Sequence, residues 1–276
     1  MKASIIGFIG GGNMARSLIG GLVADRKDPA TIRVSEPDPQ QRSRLAESFG
    51  VQTMEDNEAL VRASDVVVLA VKPQVLAEVC QAIAPAVRER NPLVVSIAAG
   101  IRLADMERWL GGKPAIVRTM PNTPAMVQCG ATALIANERV SQAQRELAEG
   151  IMRAVGIALW LEREEQMDAV TALSGSGPAY FFLVMEALEA AAQELGLSPA
   201  TARLLTLQTA FGAAKMALES SDDAATLRRR VTSPGGTTEQ AIRVLEEGDL
   251  RRVFRRALQA ASDRSEELAR LLGGQA

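Results

Sequence analysis

Between residues 3 and 162 the chain alternates short apolar runs with helical stretches; from residue 163 onward the runs stop. This change of pattern restricts the fold more than any other feature. "ASIIGFI" (3–9), "TIRVS" (31–35), "DVVVLAV" (65–71), "LVVSIA" (93–98), "AIVRTM" (115–120), "ATALIA" (131–136) and "GIALWL" (156–161) read as strands. Most are continuous apolar runs, as expected of strands in a parallel sheet covered on both faces. Helical patterns at 13–25, 39–49, 74–90, 102–110 and 141–154 lie between them. The alternation predicts an α/β fold, with an N-terminal doubly wound Rossmann domain over residues 1–162.

Residues 165–173, 178–195, 199–219, 223–231, 237–247 and 249–272 read as helices rich in Ala, Leu, Glu and Arg. Ser198–Pro199 and Ser221–Asp222 mark starts, and Gly196 sits at a C-cap position. Leu204, Leu207, Phe211 and Ala214 give one helix a broad apolar face. A small helical domain lacks the volume to bury so much surface. Residues 163–276 are therefore expected to form an all-α C-terminal dimerisation domain of an obligate homodimer.

Composition removes several functions. Thirty-one basic and 33 acidic residues leave a net charge of −2, with 47% hydrophobic residues, a profile of soluble globular chains. Nucleic acid is not an expected partner: only Arg228–Arg229–Arg230 forms a basic run, and it reads as a solvated helix end. No apolar stretch of about 18 residues predicts a membrane span. Two cysteines, Cys80 and Cys129, form neither a disulfide framework nor a metal site, and fit a cytoplasmic setting. The chain has no histidine, which excludes a Ser–His–Asp triad, a His general base and a His-ligated metal.

The first apolar run passes into "GGGNMARSLIGGL" with the spacing Gly10-x-Gly12-x-x-Ala15, after a strand and at a helix start. That is the setting of a dinucleotide turn: Gly10 for the tight bend, Gly12 for backbone approach to the diphosphate, Ala15 for helix–strand contact. The end of the second strand, "VSEPDPQQRSRL", offers two opposed signals. Glu36 suits the ribose hydroxyls of NADH, whereas Arg42 and Arg44, with Ser35 beside them, suit the 2′-phosphate of NADPH. Other loops are candidates by position: "AVKP" (70–73), "AAG" (98–100), Asn57, and "MPNTP" (120–124), whose prolines stiffen the loop around Asn122. Lys72 has three open roles: catalysis, phosphate neutralisation or helix capping.

Two stretches of the second half read as anion sites. "LSGSGPAYFF" (173–182) turns through Gly175 and Gly177 and starts a helix at Pro178, and "SPGGTT" (233–238) starts another. A helix N-terminus presents free N–H groups and positive potential. Capping explains one hydroxyl; two glycines with Thr232, Ser233, Thr237 and Thr238 fit a carboxylate cradled by N–H and O–H groups.

"GFIGGGNMA", "AVKP", "MPNTP", "SGSGPAYFF" and above all "VTSPGGTTEQAIRVLE" resemble pyrroline-5-carboxylate reductase across essentially the whole chain, in order. The resemblance implies reduction of 1-pyrroline-5-carboxylate to L-proline by hydride from NADPH, the last step of proline synthesis, with NADH left open by Glu36. It implies an intertwined homodimer, often assembled into a decamer of five dimers. Its substrate carboxylate site maps onto Ser233, Gly236 and Thr237, with Thr238, the catalytic candidate, near the ring nitrogen. Its cofactor contacts map onto Ile9, Gly10, Gly11, Gly12, Asn13, Met14, Ser35, Asn57, Ala70, Val71, Lys72, Pro73, Ile97, Ala98 and Ala99; Asn122 joins them by position alone. The chemistry agrees with the composition, because reducing a protonated C=N bond needs a hydride and placement, and no histidine.

Two other readings stay open. A β-hydroxyacid dehydrogenase also joins a Rossmann domain to helices, but it calls for a lysine on the helix at 178–195, which has none. A nucleotide-sensing dimer without turnover leaves both anion-ready turns unexplained.

Overall fold

In the computed structural model, which describes residues 4–274, eight strands among the described residues form one sheet in the order β3-β2-β1-β4-β5-β6-β7-β8. They are β1 (Ile6–Ile9), β2 (Ile32–Ser35), β3 (Gln52–Met54), β4 (Val66–Leu69), β5 (Leu93–Ser96), β6 (Ala115–Met120), β7 (Gly130–Ala136) and β8 (Gly156–Trp160). The helices between them are α1 (Asn13–Ala24), α2 (Pro39–Phe49), α3 (Asn57–Arg62), α4 (Pro73–Arg90), α5 (Leu103–Leu110) and α6 (Gln142–Arg153). All pairings are parallel except β6 with β7. The all-parallel sheet implied by the strand pattern thus carries one antiparallel step, where a short connection holding a 3-10 turn (Thr123–Val127), rather than an α-helix, joins two strands. The expected strand at 3–9 begins at Ile6, and Ala3 lies outside the described residues.

The continuous apolar runs are explained by alternation between two cores. In β4, Val66 and Val68 join the core with Leu18 and Ile151, while Val67 and Leu69 join the core with Leu76 and Ile83. Burying one such side chain contributes roughly 1.5–3 kcal/mol. β3 and α3 are absent from the expected pattern: Gln52-Thr53-Met54 is a short, half-exposed edge strand without an apolar run.

After β8 come α7 (Gln166–Val170), a π-helical turn (Thr171–Gly175), α8 (Gly177–Glu194), α9 (Pro199–Glu219), α10 (Ala224–Arg230), α11 (Thr237–Glu247) and α12 (Leu250–Gly273). The chain divides into two compact units, one running through Ser176 and resuming at Ala261, the other Gly177–Ala260. In this division residues 163–176 group with the sheet. Met167 is fully buried in the sheet-facing core, and buried Asp168 accepts a hydrogen bond from Ser265 Oγ at 2.7 Å, so α7 and the end of α12 belong with the sheet.

The helical unit has no core of its own. Among its described residues only Gly177 and Ala202 are buried, whereas Phe181, Phe182, Leu204 and Phe211 are each more than 60% exposed. No described helix is long and apolar enough to cross a membrane.

Candidate active site

The carboxyl ends of four strands lie level. Ile9 pairs with Ser35 and with Leu69, and Leu69 pairs with Ser96. Beyond them the Gly10 N–H donates to Ser35 O (2.8 Å), the Ala70 N–H to Ile9 O (2.8 Å) and the Ile97 N–H to Leu69 O (3.2 Å). This ladder brings the expected cofactor residues Ile9, Gly10, Ser35, Ala70 and Ile97 to one edge. From β1 the chain steps outward to β2 and β3, then returns to β4 on the other side, so the crevice above β1 and β4 is the topological switch point.

Each glycine of the first turn answers a different constraint. Gly10 has φ +96°, and a Cβ there would stand 2.7 Å from Ala70 O. A Cβ on Gly11 would stand 2.6 Å from Leu45 Cδ1, whereas one on Gly12 would have nothing within 4 Å. Gly12 is the N-cap of α1, without a side-chain cap and without an acid in the first turn. The Asn13, Met14 and Ala15 N–H groups have no backbone acceptor among the described residues; the first helical bond is Arg16 N–H to Gly12 O. Free donors, a positive helix end and open space at Gly12 fit the diphosphate of a dinucleotide. Ala15 is 1% exposed and packs in the core beneath the turn.

On the ribose side, two expected residues meet. Buried Ser35 has its Oγ 2.6 Å from Asn57 Oδ1 and 3.0 Å from Glu55 O, and Asn57 opens α3. The Arg42 Nη1 donates to Glu36 O (2.6 Å) and Pro37 O (2.9 Å), while its Nη2 lies 3.7 Å from Glu55 Oε2. Arg44 is exposed. Glu36 turns inward: its Oε2 accepts from the Gly11 N–H (2.9 Å) and Gln41 Nε2 (2.9 Å), and its Oε1 accepts from the Asp38 N–H (3.1 Å).

At the other end, Lys72 is the N-cap of α4 with Pro73 next, and its exposed ammonium has no ion pair among the described residues. Val71 and Ala99 are half-buried and Ala98 is 2% exposed. Asn122 is engaged on both sides: its Nδ2 donates to Ser174 O (3.1 Å) and its Oδ1 accepts from the Ala131 N–H (2.9 Å). Ser174 lies in the π-helical turn, where the usual helical ladder is interrupted, and Asn122 takes that carbonyl. The turn expected through Gly175 is therefore corrected to a π-helical turn, while the long helix expected from Pro178 begins one residue earlier, at Gly177. Ser176 stays in helical conformation, and the chain passes from α7 through the π turn to α8. Gly175 is there for closeness: a Cβ would stand 2.5 Å from Met120 Cε.

In the helical unit, the 231–240 stretch ends α10 and starts α11. The Thr232 Oγ1 donates to Arg228 O (2.7 Å) and so serves α10. Gly235 has φ +72°, and the Gly236 N–H donates to Ser233 O (3.0 Å), closing the turn. Gly236 is the N-cap of α11 and makes no side-chain cap. Among the described residues the hydroxyls of Ser233, Thr237 and Thr238 have no partner, and neither do the Thr237 and Thr238 N–H groups. Sequence reasoning missed Glu239, whose Oε2 accepts from the Gly235 N–H at 2.8 Å and fixes the bend. Its position three residues after the N-cap was the available signal.

Comparisons with known proteins match the chain in two segments. A family profile described as "Pyrroline-5-carboxylate reductase dimerisation" matches residues 164–268, and one described as "NADP oxidoreductase coenzyme F420-dependent" matches residues 5–100. The chain is 55% identical to pyrroline-5-carboxylate reductase of Pseudomonas aeruginosa, over 99% of this chain and 100% of that one. Among solved structures, pyrroline-5-carboxylate reductase of Coxiella burnetii superposes with a TM-score of 0.93 at 52% identity, covering 96% of this chain and 98% of that one. The Plasmodium falciparum pyrroline carboxylate reductase with NADP bound gives 0.86 at 30% identity, covering 98% and 99%.

Proposed function

This chain belongs to the pyrroline-5-carboxylate reductase family, and from that membership we propose that it reduces 1-pyrroline-5-carboxylate to L-proline, the last step of proline biosynthesis. The observation that carries the reading is the helix start at 233–238, with three hydroxyls and two N–H groups left without protein partners. The open glycine turn at the head of α1 supports the nicotinamide-dinucleotide part of the reading.

A bound nicotinamide cofactor supplies the hydride. The Thr237 and Thr238 N–H groups, with the hydroxyls of Ser233 and Thr237, hold the ring carboxylate at the positive end of α11. The Thr238 hydroxyl stands at the ring nitrogen, accepting from the iminium N–H before transfer and donating to the amine lone pair after it. The hydride adds to the carbon of the C=N bond, the π pair moves onto nitrogen, and the amine takes its second proton from solvent. Positioning and electrostatics carry the rate, so the absence of histidine is no obstacle.

The cofactor is NADPH. Glu36 is committed to the glycine turn rather than left free for a ribose diol, and the Plasmodium relative binds NADP. The exposed apolar helices of the second unit support a homodimer, on which a decamer of five dimers would build. The two free cysteines suit the cytoplasm. Spectrophotometric oxidation of NADPH by the purified protein tests the activity. Turnover with 1-pyrroline-5-carboxylate and not with keto acids is expected; NADPH oxidation with a keto acid alone would replace the reading with a hydroxyacid dehydrogenase.

A further inference from the structure

An acid at the end of the second Rossmann strand ordinarily binds the adenine ribose hydroxyls. Glu36 occupies that sequence position but not that role. Its residue is 8% exposed, and both carboxylate oxygens already serve the protein. One oxygen takes the Gly11 N–H and Gln41 Nε2, and the other takes the Asp38 N–H, with all three donors at 2.9–3.1 Å. A carboxylate has about four acceptor positions, so three are filled.

Those three donors come from two segments that must agree in position. Gly11 belongs to the diphosphate turn, while Asp38 and Gln41 belong to the start of α2. Leu45, one turn further along α2, packs where a Gly11 side chain would be. The Arg42 guanidinium, bonded to the Glu36 and Pro37 carbonyls, holds the same corner from outside. Glu36 is thus the group through which α2 sets the course of the glycine turn.

We propose that Glu36 is a positioning residue of the cofactor site: it pre-sets the Gly10–Gly12 turn and takes no part in choosing between cofactors with and without a 2′-phosphate. The inference rests on the cofactor reading above. A turn fixed before binding lowers the ordering cost of binding, and it does so equally for both cofactors.

Fluorescence titration of the full-length protein with NADPH and with NADH, without substrate, separates the roles. Glu36→Ala is expected to weaken both cofactors by a similar factor, about tenfold. The ratio of the two Kd values is expected to move by less than about threefold. Glu36→Gln keeps an acceptor for the Gly11 N–H and is expected to recover most of the loss in both Kd values. A gain for NADPH with a loss for NADH would overturn the proposal, because Glu36 would then be reading the ribose. A lower unfolding temperature with both Kd values unchanged would overturn it too, leaving Glu36 as a fold element only. If the wild-type protein binds neither cofactor, the cofactor reading itself falls; if it binds both and only the variant ratio shifts, this inference alone falls.

Discussion

Single residues carry the chemistry through what they lack as much as through what they offer. Gly10 tolerates no side chain because of its left-handed φ and the Ala70 carbonyl, whereas Gly12 faces open space. The first glycine makes the bend; the second keeps room for a ligand. The hydroxyls at 232–238 divide in a similar way. Thr232 ends α10, and Ser233, Thr237 and Thr238 are left free. Thr238→Val keeps the shape and removes the hydroxyl proposed to meet the ring nitrogen. It is expected to lower kcat about ten- to a hundredfold while leaving the NADPH Kd unchanged. Steady-state kinetics with an equilibrium titration decide this, and an unchanged kcat would remove Thr238 from the mechanism.

At the scale of elements, the strands that sit deepest were the most legible. Val66–Leu69 and Leu93–Ser96 announce themselves because both faces of the sheet are covered, so their positions are apolar up to the terminal Ser96. Gln52–Met54 gave no such signal, since an edge strand of three residues needs no apolar run. Gly175 and Gly177 read as a turn because glycine breaks helices on average. In the fold the π turn takes in Gly175, where the close approach of Met120 rather than a bend explains the glycine, and Gly177 opens α8. The inward direction of Glu36 was illegible for another reason: it depends on the Gly11 N–H, 25 residues away in sequence. The helix start at 237 was legible from Pro234, two glycines and the hydroxyls, whereas the Glu239 carboxylate on Gly235 was passed over. Asn122, read as a cofactor candidate, braces the loop after β6 against the π turn. Asn122→Leu leaves the Ser174 carbonyl and Ala131 N–H unpaired. It is expected to destabilise the protein by about 1–3 kcal/mol, visible as a lower urea midpoint. An unchanged midpoint would show that water replaces the brace.

For the whole molecule, the two units obey different rules. The sheet unit has two filled cores, but the helical unit buries only Gly177 and Ala202 among its described residues. A stable fold for Gly177–Ala260 therefore calls for a second copy, with an interface in the range of about 2,000–5,000 Å² typical of obligate dimers. Unfolding coupled to dissociation is concentration-dependent, and a hundredfold dilution is expected to lower the unfolding temperature by about 3 °C. A temperature independent of concentration would place the stability within single chains. The central claim is that the chain reduces 1-pyrroline-5-carboxylate to L-proline by hydride transfer from a nicotinamide cofactor. It is tested most directly with NADPH deuterated at its transferable position and 1-pyrroline-5-carboxylate as substrate, with the product followed by mass spectrometry. The account predicts L-proline carrying one deuterium on its δ carbon. Proline without the label, or NADPH left unoxidised beside intact substrate, would contradict it.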